Sequence, residues 1–225
     1  WQAHIKKMTA VSDYLNHKQY AFLKYTGPGT NFRLGLPPGH IWKSAQSTSE
    51  AGIKFTANLP TEEVYTLPHN QMAEGVISAS MPLNYEGMLI ENINLTFAKG
   101  RVVKATAGSG EAVLQKLIDT DEGAGRLGEV ALVPHSSPIS QSGLLFYNTL
   151  YDENAACHLA LGRAYRFCLR GGTTMSGDQF CVAGGNNSLV HIDFMIGSGS
   201  MDIDGLTTTG VAEPVMRRGE WAFTV

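Results

Sequence analysis

Two alternating apolar runs flank a tight turn in the segment from residue 88 to residue 108, MLIENINLTFAKGRVVKATAG. The central Ala-Lys-Gly-Arg predicts a hairpin between two antiparallel strands. Five similar short runs, each bounded by Gly, Pro or Asn, precede it from residue 20 onward: YAFLKYTG, NFRLGLPPG, IKFTANLP, EEVYTLP and GVISASM. A chain with so many short strands is expected to form a mainly antiparallel sheet.

Helical patterns surround these strands. The opening segment, WQAHIKKMTAVSDYLNHKQ, spaces its apolar residues by three and four and predicts an amphipathic helix that docks on the sheet. A second helix is expected in SGEAVLQKLIDTDEGAGRLGE after a Ser cap, and a third in DENAACHLALGRAYRF. EVALVP, LVHIDFMIG and DIDGLTTTG predict strands, whereas HSSPISQSG and RGGTTMSGDQFCVAGGNN predict loops. The predicted fold class is α+β: a large curved, mainly antiparallel sheet or partial barrel with flanking helices.

The composition of the chain disfavours several classes of function. The 225 residues are 43% hydrophobic and carry a formal net charge of −3 without a basic cluster, which disfavours a nucleic-acid partner. No apolar run approaches the roughly 18 residues of a membrane span. Three cysteines form neither a CxxC pair nor a disulfide framework, so a cytoplasmic location is expected. The chain begins with Trp1, and we interpret it as part of a longer protein.

His191 and Asp193 interrupt the apolar run LVHIDFMIG. Side chains alternate between the faces of a strand, so this pair points one way while Ile192 and Phe194 point the other. The polar pair faces either water or a bound group. A lone histidine on an apolar face is more often a hydrogen-bonded core residue than a ligand, so this pair alone leaves both interpretations open.

Other polar residues also stand among apolar neighbours. His158 lies among alanines and leucines, and Tyr165 follows seven residues later on the same face of the predicted helix. Glu129 precedes an apolar strand, and Glu62 and Glu63 follow a proline turn. Each has an ordinary structural explanation. Together they supply the nitrogen and oxygen ligands that suit zinc, cobalt or manganese, and a bridging carboxylate among them could hold two ions.

Competing motifs are weaker. Cys157 adjoins His158, but neighbours on a helix point about 100° apart and form no catalytic dyad. GSGSMD lacks the context of a hydrolase serine, TGPGT lacks the Lys of a phosphate-binding loop, and DIDG lacks the remaining ligands of a calcium loop.

Several longer motifs, in order, resemble the M29 family of thermophilic-type metalloaminopeptidases. They are YTGPGTNFRLGLP, NLPTEEVYTLPH, RLGEVALVP, SPISQSGLLFYNTLYDENAACHLALGRAY, HIDFMIGS and the tail GEWAF. The resemblance runs from about residue 20 to the end and so covers nearly the whole chain. It implies that residues 1–225 are the C-terminal, metal-bearing catalytic domain of a longer two-domain chain whose N-terminal domain is absent here. His69 and His135 stand where the family commonly has aspartate.

The resemblance implies a dinuclear aminopeptidase that removes N-terminal residues from peptides with a free amine. It assigns five metal ligands for two divalent ions, zinc, cobalt or manganese: Glu63, Glu129, His158, His191 and Asp193. It assigns an active-site role to Tyr165, and it implies a homodimer in the full-length chain. The alternative is a catalytically incompetent fragment that binds metal or supports dimerisation.

The expected reaction needs a group that takes a proton from water and a group that stabilises the oxyanion. Glu62 is the sequence-based candidate for the general base because it adjoins a predicted ligand. Tyr165 is expected to donate a hydrogen bond to the tetrahedral oxyanion. A carboxypeptidase or a single-metal amidase would be distinguished by its action on peptides with blocked amines.

Overall fold

A computed structural model describes all 225 residues, and its elements alternate between short strands and helices. The helices are α1 (Gln2–Lys18), α2 (Glu111–Ile118), α3 (Pro138–Ser142), α4 (Thr149–Asp152) and α5 (Gly177–Val182). The first ten strands are β1 (Phe22–Gly27), β2 (Thr30–Gly35), β3 (Ser47–Thr48), β4 (Lys54–Phe55), β5 (Val64–Thr66), β6 (Ala73–Ser78), β7 (Leu83–Tyr85), β8 (Met88–Ile90), β9 (Asn94–Ala98) and β10 (Arg101–Thr106). The remaining strands are β11 (Leu127–Leu132), β12 (His158–Gly162), β13 (His191–Met195), β14 (Asp202–Leu206), β15 (Ala212–Arg217) and β16 (Glu220–Trp221).

An eight-stranded antiparallel sheet, in the order β10-β9-β6-β2-β1-β14-β15-β16, forms the larger part of the fold. The predicted hairpin is formed by β9 and β10 at one edge of this sheet. Lys99 and Gly100 occupy the turn with φ of 50° and 77°, so both central residues are left-handed, as the twist of a two-residue hairpin favours. The α+β class and the large antiparallel sheet predicted from the sequence are confirmed.

The opening helix is also confirmed, as α1. Met8, Val11 and Leu15 are buried at spacings of three and four. Asn16 ties the helix to the chain beyond the first hairpin, because its amide donates to the carbonyl of Trp42 and accepts from the Trp42 amide. The core that α1 covers contains apolar residues of both major sheets. None of the five helices has the length and apolar character to cross a bilayer.

A second sheet of four antiparallel strands, in the order β13-β12-β11-β5, differs from the first because every residue of β11 and β12 is buried. The helix predicted through residues 152–167 is wrong. The segment contains the end of α4, a single 3₁₀ turn at Glu153–Ala155 and then strand β12. A short apolar run buried on both faces has no periodicity that separates strand from helix, and pairing with β11 and β13 decides the outcome.

Smaller differences have local causes. Ser109 does not cap α2, since its hydroxyl donates to Glu91, and the Glu111 carboxylate instead accepts from the Ala107 amide. Both predicted loops contain a short helix. Helix α3 begins after a Ser137 cap and α5 after a Ser176 capping box, and five or six residues are too few for a visible apolar period.

Candidate metal centre

Strand register brings the candidate ligands to one face of the four-stranded sheet. Ala160 of β12 lies opposite Glu129 on one side and Asp193 on the other, and Gly162 lies opposite His191. Residues directly opposite in an antiparallel pair share a face. Because Ala160 and Gly162 carry a methyl group or no side chain, the polar groups of the flanking strands can converge above them.

The outer members of the site follow from the same alternation. His158 lies two residues before Ala160 in β12 and therefore points to the same face. Tyr65 of β5 pairs with Ala131 of β11, and Glu63 lies two residues before Tyr65. Four segments that are distant in sequence thus each contribute to a single polar cluster.

Glu129 divides this cluster into two groups. Its Oε1 lies 3.7 Å from His158 Nε2, which is also 3.1 Å from Glu63 Oε2. Its Oε2 lies 3.6 Å from His191 Nε2, which is 3.5 Å from Asp193 Oδ1. Within each group of three the potential ligand atoms lie within 4.8 Å of one another. A carboxylate shared between two such groups has the arrangement of a bridging ligand.

The donor atoms fit divalent cations. Three buried atoms in the cluster have no hydrogen-bond partner: Glu63 Oε2, His158 Nε2 and Asp193 Oδ1. Leaving such atoms unpaired costs free energy that a cation would recover. The Nδ1 atoms of His158 and His191 lie 3.1 Å and 2.7 Å from the carbonyls of Ala156 and Arg163. A carbonyl only accepts, so Nδ1 carries a proton and Nε2 is the atom that can present a lone pair to a cation.

Burial and neighbouring charges shift the pKa values of the residues in this cluster. Burial raises the pKa of Glu129 to about 7, and the nearby Glu63 and Asp193 carboxylates add to the shift. Burial opposes the charged form of His191, but Asp193 outweighs it and raises the pKa to about 9. The pKa of His158 is likewise raised by Glu129 and Glu63 against the effect of burial. Burial also opposes the charged form of Asp193, yet His191 lowers its pKa. The carboxylates therefore require positive charge, from protons or from cations.

The cluster opens into a cavity of about 390 Å³. Four candidate ligands line it, namely Glu63, Glu129, His191 and Asp193, and its apolar walls include Phe55, Ala57, Leu150 and Phe167. The volume is sufficient for the terminal residues of a peptide, and the mixture of apolar walls and a few convergent polar groups is typical of a small-molecule site.

Tyr165 also lines this cavity, although the predicted helical face shared with His158 does not exist. It lies in the loop after β12, where its ring centroid is 4.9 Å from that of His191 and 5.2 Å from that of Phe167, on which it stacks. Burial, followed by the charges of Glu129 and Asp193, raises the pKa of its hydroxyl. At neutral pH Tyr165 therefore retains its proton and can donate it in a hydrogen bond.

Glu62 lies elsewhere and is not among the residues that line the cavity. Its Oε1 is 3.7 Å from Nε2 of His4 in α1, and its amide donates to Asn154 Oδ1 over 2.7 Å. Glu62 therefore faces α1, whereas Oε2 of the neighbouring Glu63 lies 3.1 Å from His158 Nε2. The structure therefore offers no contact that supports Glu62 as a base.

Glu153 is a cavity residue that the sequence reasoning missed. Burial, and then the charge of Glu63, raises its pKa to about 9. The predicted helix through DENAACH concealed it, since on a helix Glu153 would lie well away from His158 in direction. Had the sequence indicated that the helix ends at Asp152, Glu153 would have been expected in a turn, from which its side chain could point to the same face as His158.

Comparison with known proteins identifies the family of this chain. The family model of the thermophilic metalloprotease (M29) matches residues 1–221. The chain belongs to the M29 family. Among its M29 relatives, aminopeptidase 2 of Geobacillus stearothermophilus is 50% identical over 99% of this chain and 54% of the relative. Aminopeptidase T of Thermus thermophilus is 49% identical over 98% of this chain and 54% of the relative.

The structure of wild-type AmpT from Thermus thermophilus superimposes with a TM-score of 0.94 at 48% identity, covering 99% of this chain and 55% of that one. The M29 resemblance inferred from the motifs is thus confirmed, as is the fold. The chain spans about half the length of the relatives that it matches.

Proposed function

We propose that this chain is the metal-bearing catalytic portion of an aminopeptidase, which hydrolyses the first peptide bond of peptides with a free N-terminal amine. The observation that carries the proposal is the Glu129 carboxylate, whose two oxygens face two separate histidine and carboxylate groups within one cavity. The names of the M29 relatives, aminopeptidase 2 and aminopeptidase T, support the reaction class.

Two divalent ions, of zinc, cobalt or manganese, fit the nitrogen and oxygen donors of the site. Glu63 and His158 would hold one, His191 and Asp193 the other, and Glu129 would contact both. Bound at this site, such ions supply Lewis acidity, which acidifies water and polarises a peptide carbonyl.

The chain's own residues would complete the reaction. Tyr165 would donate its hydroxyl proton in a hydrogen bond to the oxygen of the attacked carbonyl, where negative charge develops. The apolar walls, including Leu150 and Phe167, would exclude water from the side of the terminal side chain.

A direct assay tests the proposal. The purified chain is stripped with a chelator, loaded with zinc, cobalt or manganese, and supplied with leucine p-nitroanilide and its N-acetyl derivative. Hydrolysis of the free-amine substrate alone, together with two ions per chain, is the expected result. Metal binding without hydrolysis of either substrate would instead identify a catalytically incompetent metal-binding fragment.

Cleavage of the acetylated substrate would contradict an aminopeptidase and favour an amidase. One bound ion at saturation would contradict the dinuclear site. Homodimerisation and a cytoplasmic location stay predictions, and all three cysteines are free thiols, as a reducing compartment requires.

A further inference from the structure

Glu153 is the one carboxylate in the cavity that belongs to neither group of potential ligands. It lines the same cavity as Glu63, Glu129 and Asp193, yet the two groups of converging ligand atoms are complete without it. It shares the cavity wall with Tyr165 and His191, so it lies beside the reacting centre. Cations held by the two groups would favour its ionised form, which could then accept a proton from a water molecule in the cavity.

The backbone around Glu153 is held on both sides. Asp152 is 3% exposed, and its carboxylate accepts from the amides of Phe146 and Asn148 over 2.8 Å and 3.0 Å. Asn154 is 1% exposed, and its amide group donates to the carbonyl of Leu150 over 3.0 Å. Two buried polar neighbours therefore fix the turn that aims Glu153 into the cavity.

Asn154 also links this turn to the segment that carries a ligand. Its Oδ1 accepts from the Glu62 amide over 2.7 Å, and its carbonyl accepts from the Ser137 hydroxyl over 3.0 Å. The position of Glu153 is thus coupled to that of Glu63 by a partly buried hydrogen bond one residue away from each. Such support is what a group engaged in proton transfer needs, because transfer depends on distances of about 3 Å.

We propose that Glu153 is the general base of the hydrolysis, a role that rests on the proposed aminopeptidase function. The Glu153 carboxylate takes a proton from water as the water oxygen forms its bond to the scissile carbonyl carbon. The carbonyl π electrons move to the oxygen that Tyr165 contacts. When the C–N bond breaks, the Glu153 carboxylic acid returns the proton to the departing amine nitrogen, which leaves a free amino acid, a shortened peptide and an ionised Glu153.

The test compares Glu153→Gln with Glu62→Gln, the rival that sequence proximity suggests, and with Glu86→Gln in the exposed turn between β7 and β8. Each variant is loaded with metal and measured for kcat and KM on leucine p-nitroanilide. Metal stoichiometry and leucine binding are measured by calorimetry. For Glu153→Gln we expect kcat to fall by about 10²- to 10⁴-fold, with two ions bound and leucine affinity unchanged. Glu86→Gln should match the parent chain.

Chemical rescue separates a catalytic role from a structural one, because an added carboxylate can replace a missing base but cannot restore a lost structural contact. Glu153→Ala leaves space for a small carboxylate, and added formate should restore part of the lost kcat in proportion to its concentration. Thermal unfolding of both Glu153 variants checks that the fold is intact. If Glu153→Gln fails to fold, the formate response of Glu153→Ala decides the role.

Three results would overturn the role of Glu153. They are an unchanged kcat in Glu153→Gln, the loss of a bound ion from that variant, and a fall in kcat confined to Glu62→Gln. These results leave the aminopeptidase function standing as long as the parent chain hydrolyses the substrate. A parent chain without turnover under any of the three metals would remove the proposed function and the role of Glu153 together.

Discussion

The eight-stranded and the four-stranded sheets differ in the pattern of buried and exposed residues along their strands. In β1 and β2 buried and exposed residues alternate, so one face meets the core and the other meets solvent. In β11 and β12 every residue is buried, and yet these strands hold Glu129 at 5% exposure and His158 at 0%. The first pattern separates polar from apolar groups, whereas the second places charged groups inside.

This difference separates stability from function. Burial of apolar side chains against the large sheet contributes to the free energy of folding in proportion to the area removed from water. Buried, unpaired carboxylates in the small sheet oppose folding until positive charge compensates them. A substitution in the core of the large sheet should therefore lower the free energy of unfolding and leave metal binding unchanged. A substitution of a candidate ligand in the small sheet should instead impair metal binding and turnover.

The largest effect is expected for Glu129→Gln. The amide loses the charge shared by both ligand groups, so one ion should be lost and kcat/KM should fall by at least about 10⁴-fold. Metal counting and turnover of leucine p-nitroanilide check this, with Glu122→Gln on the exposed surface as the matched control. Retention of two ions with normal turnover would contradict the bridging role.

The free energy of unfolding of the metal-free Glu129→Gln variant tests whether buried charge in the small sheet opposes folding. The folded-state pKa of Glu129, about 7, is above its ordinary 4.5, so the folded chain holds this proton more tightly than the unfolded chain does. Ionisation therefore costs stability as pH rises above 4.5, and the full cost is present above about 7. Metal-free Glu129→Gln should be more stable than the parent at pH 8, by about 1 kcal/mol or more, with no gain at pH 4.

The opposite profile is expected for Phe32→Ala in the large sheet. Phe32 is 1% exposed, with ring centroids 6.1 Å from Tyr25 and 5.3 Å from Phe97. Its truncation leaves a cavity and should lower the free energy of unfolding by about 3–5 kcal/mol. Denaturant unfolding measures the loss, and Val103→Ala, on the exposed face of β10, should change stability by less than about 0.5 kcal/mol. Altered metal stoichiometry in folded Phe32→Ala would break the separation of the two sheets.

A smaller effect on turnover than that of Glu129→Gln is expected for Tyr165→Phe. Only the hydroxyl is removed, so the stacking on Phe167 and the fold should persist. We expect kcat to fall by about 10²-fold with KM nearly unchanged, because the hydrogen bond strengthens as charge develops in the transition state. Steady-state kinetics on metal-loaded protein provide the measurement. A raised KM at constant kcat would assign Tyr165 to substrate binding instead.

Local patterns were sufficient where local forces decide the structure. The Lys99-Gly100 turn requires two left-handed residues, and the spacing of Met8, Val11 and Leu15 is visible in the sequence, so the hairpin and α1 were both predicted. The alternation of His191 and Asp193 likewise predicted that the pair shares a face, and their side chains lie 3.5 Å apart.

Residues 152–167 show where local patterns were insufficient. The run HLALG has no helical or alternating signature that excludes either structure, and it is a strand because β11 and β13 pair with both of its edges. The same misjudged segment concealed Glu153, which a 3₁₀ turn aims at the cavity. Adjacency in sequence suggested Glu62, but its carboxylate lies beside His4 of α1, whereas that of Glu63 lies beside His158.

The amino-acid sequence thus specified the types of residue, the local turns and the pairs of side chains that share a strand face, because these depend on neighbours within a few positions. The tertiary structure decided which of the distant polar residues meet. Glu63, Glu129, His158 and His191 converge only through the register of four strands, and small residues at Ala160 and Gly162 leave the space between them. That register results from pairing between segments up to 68 residues apart, as for Val64 and Leu132, which no local pattern encodes.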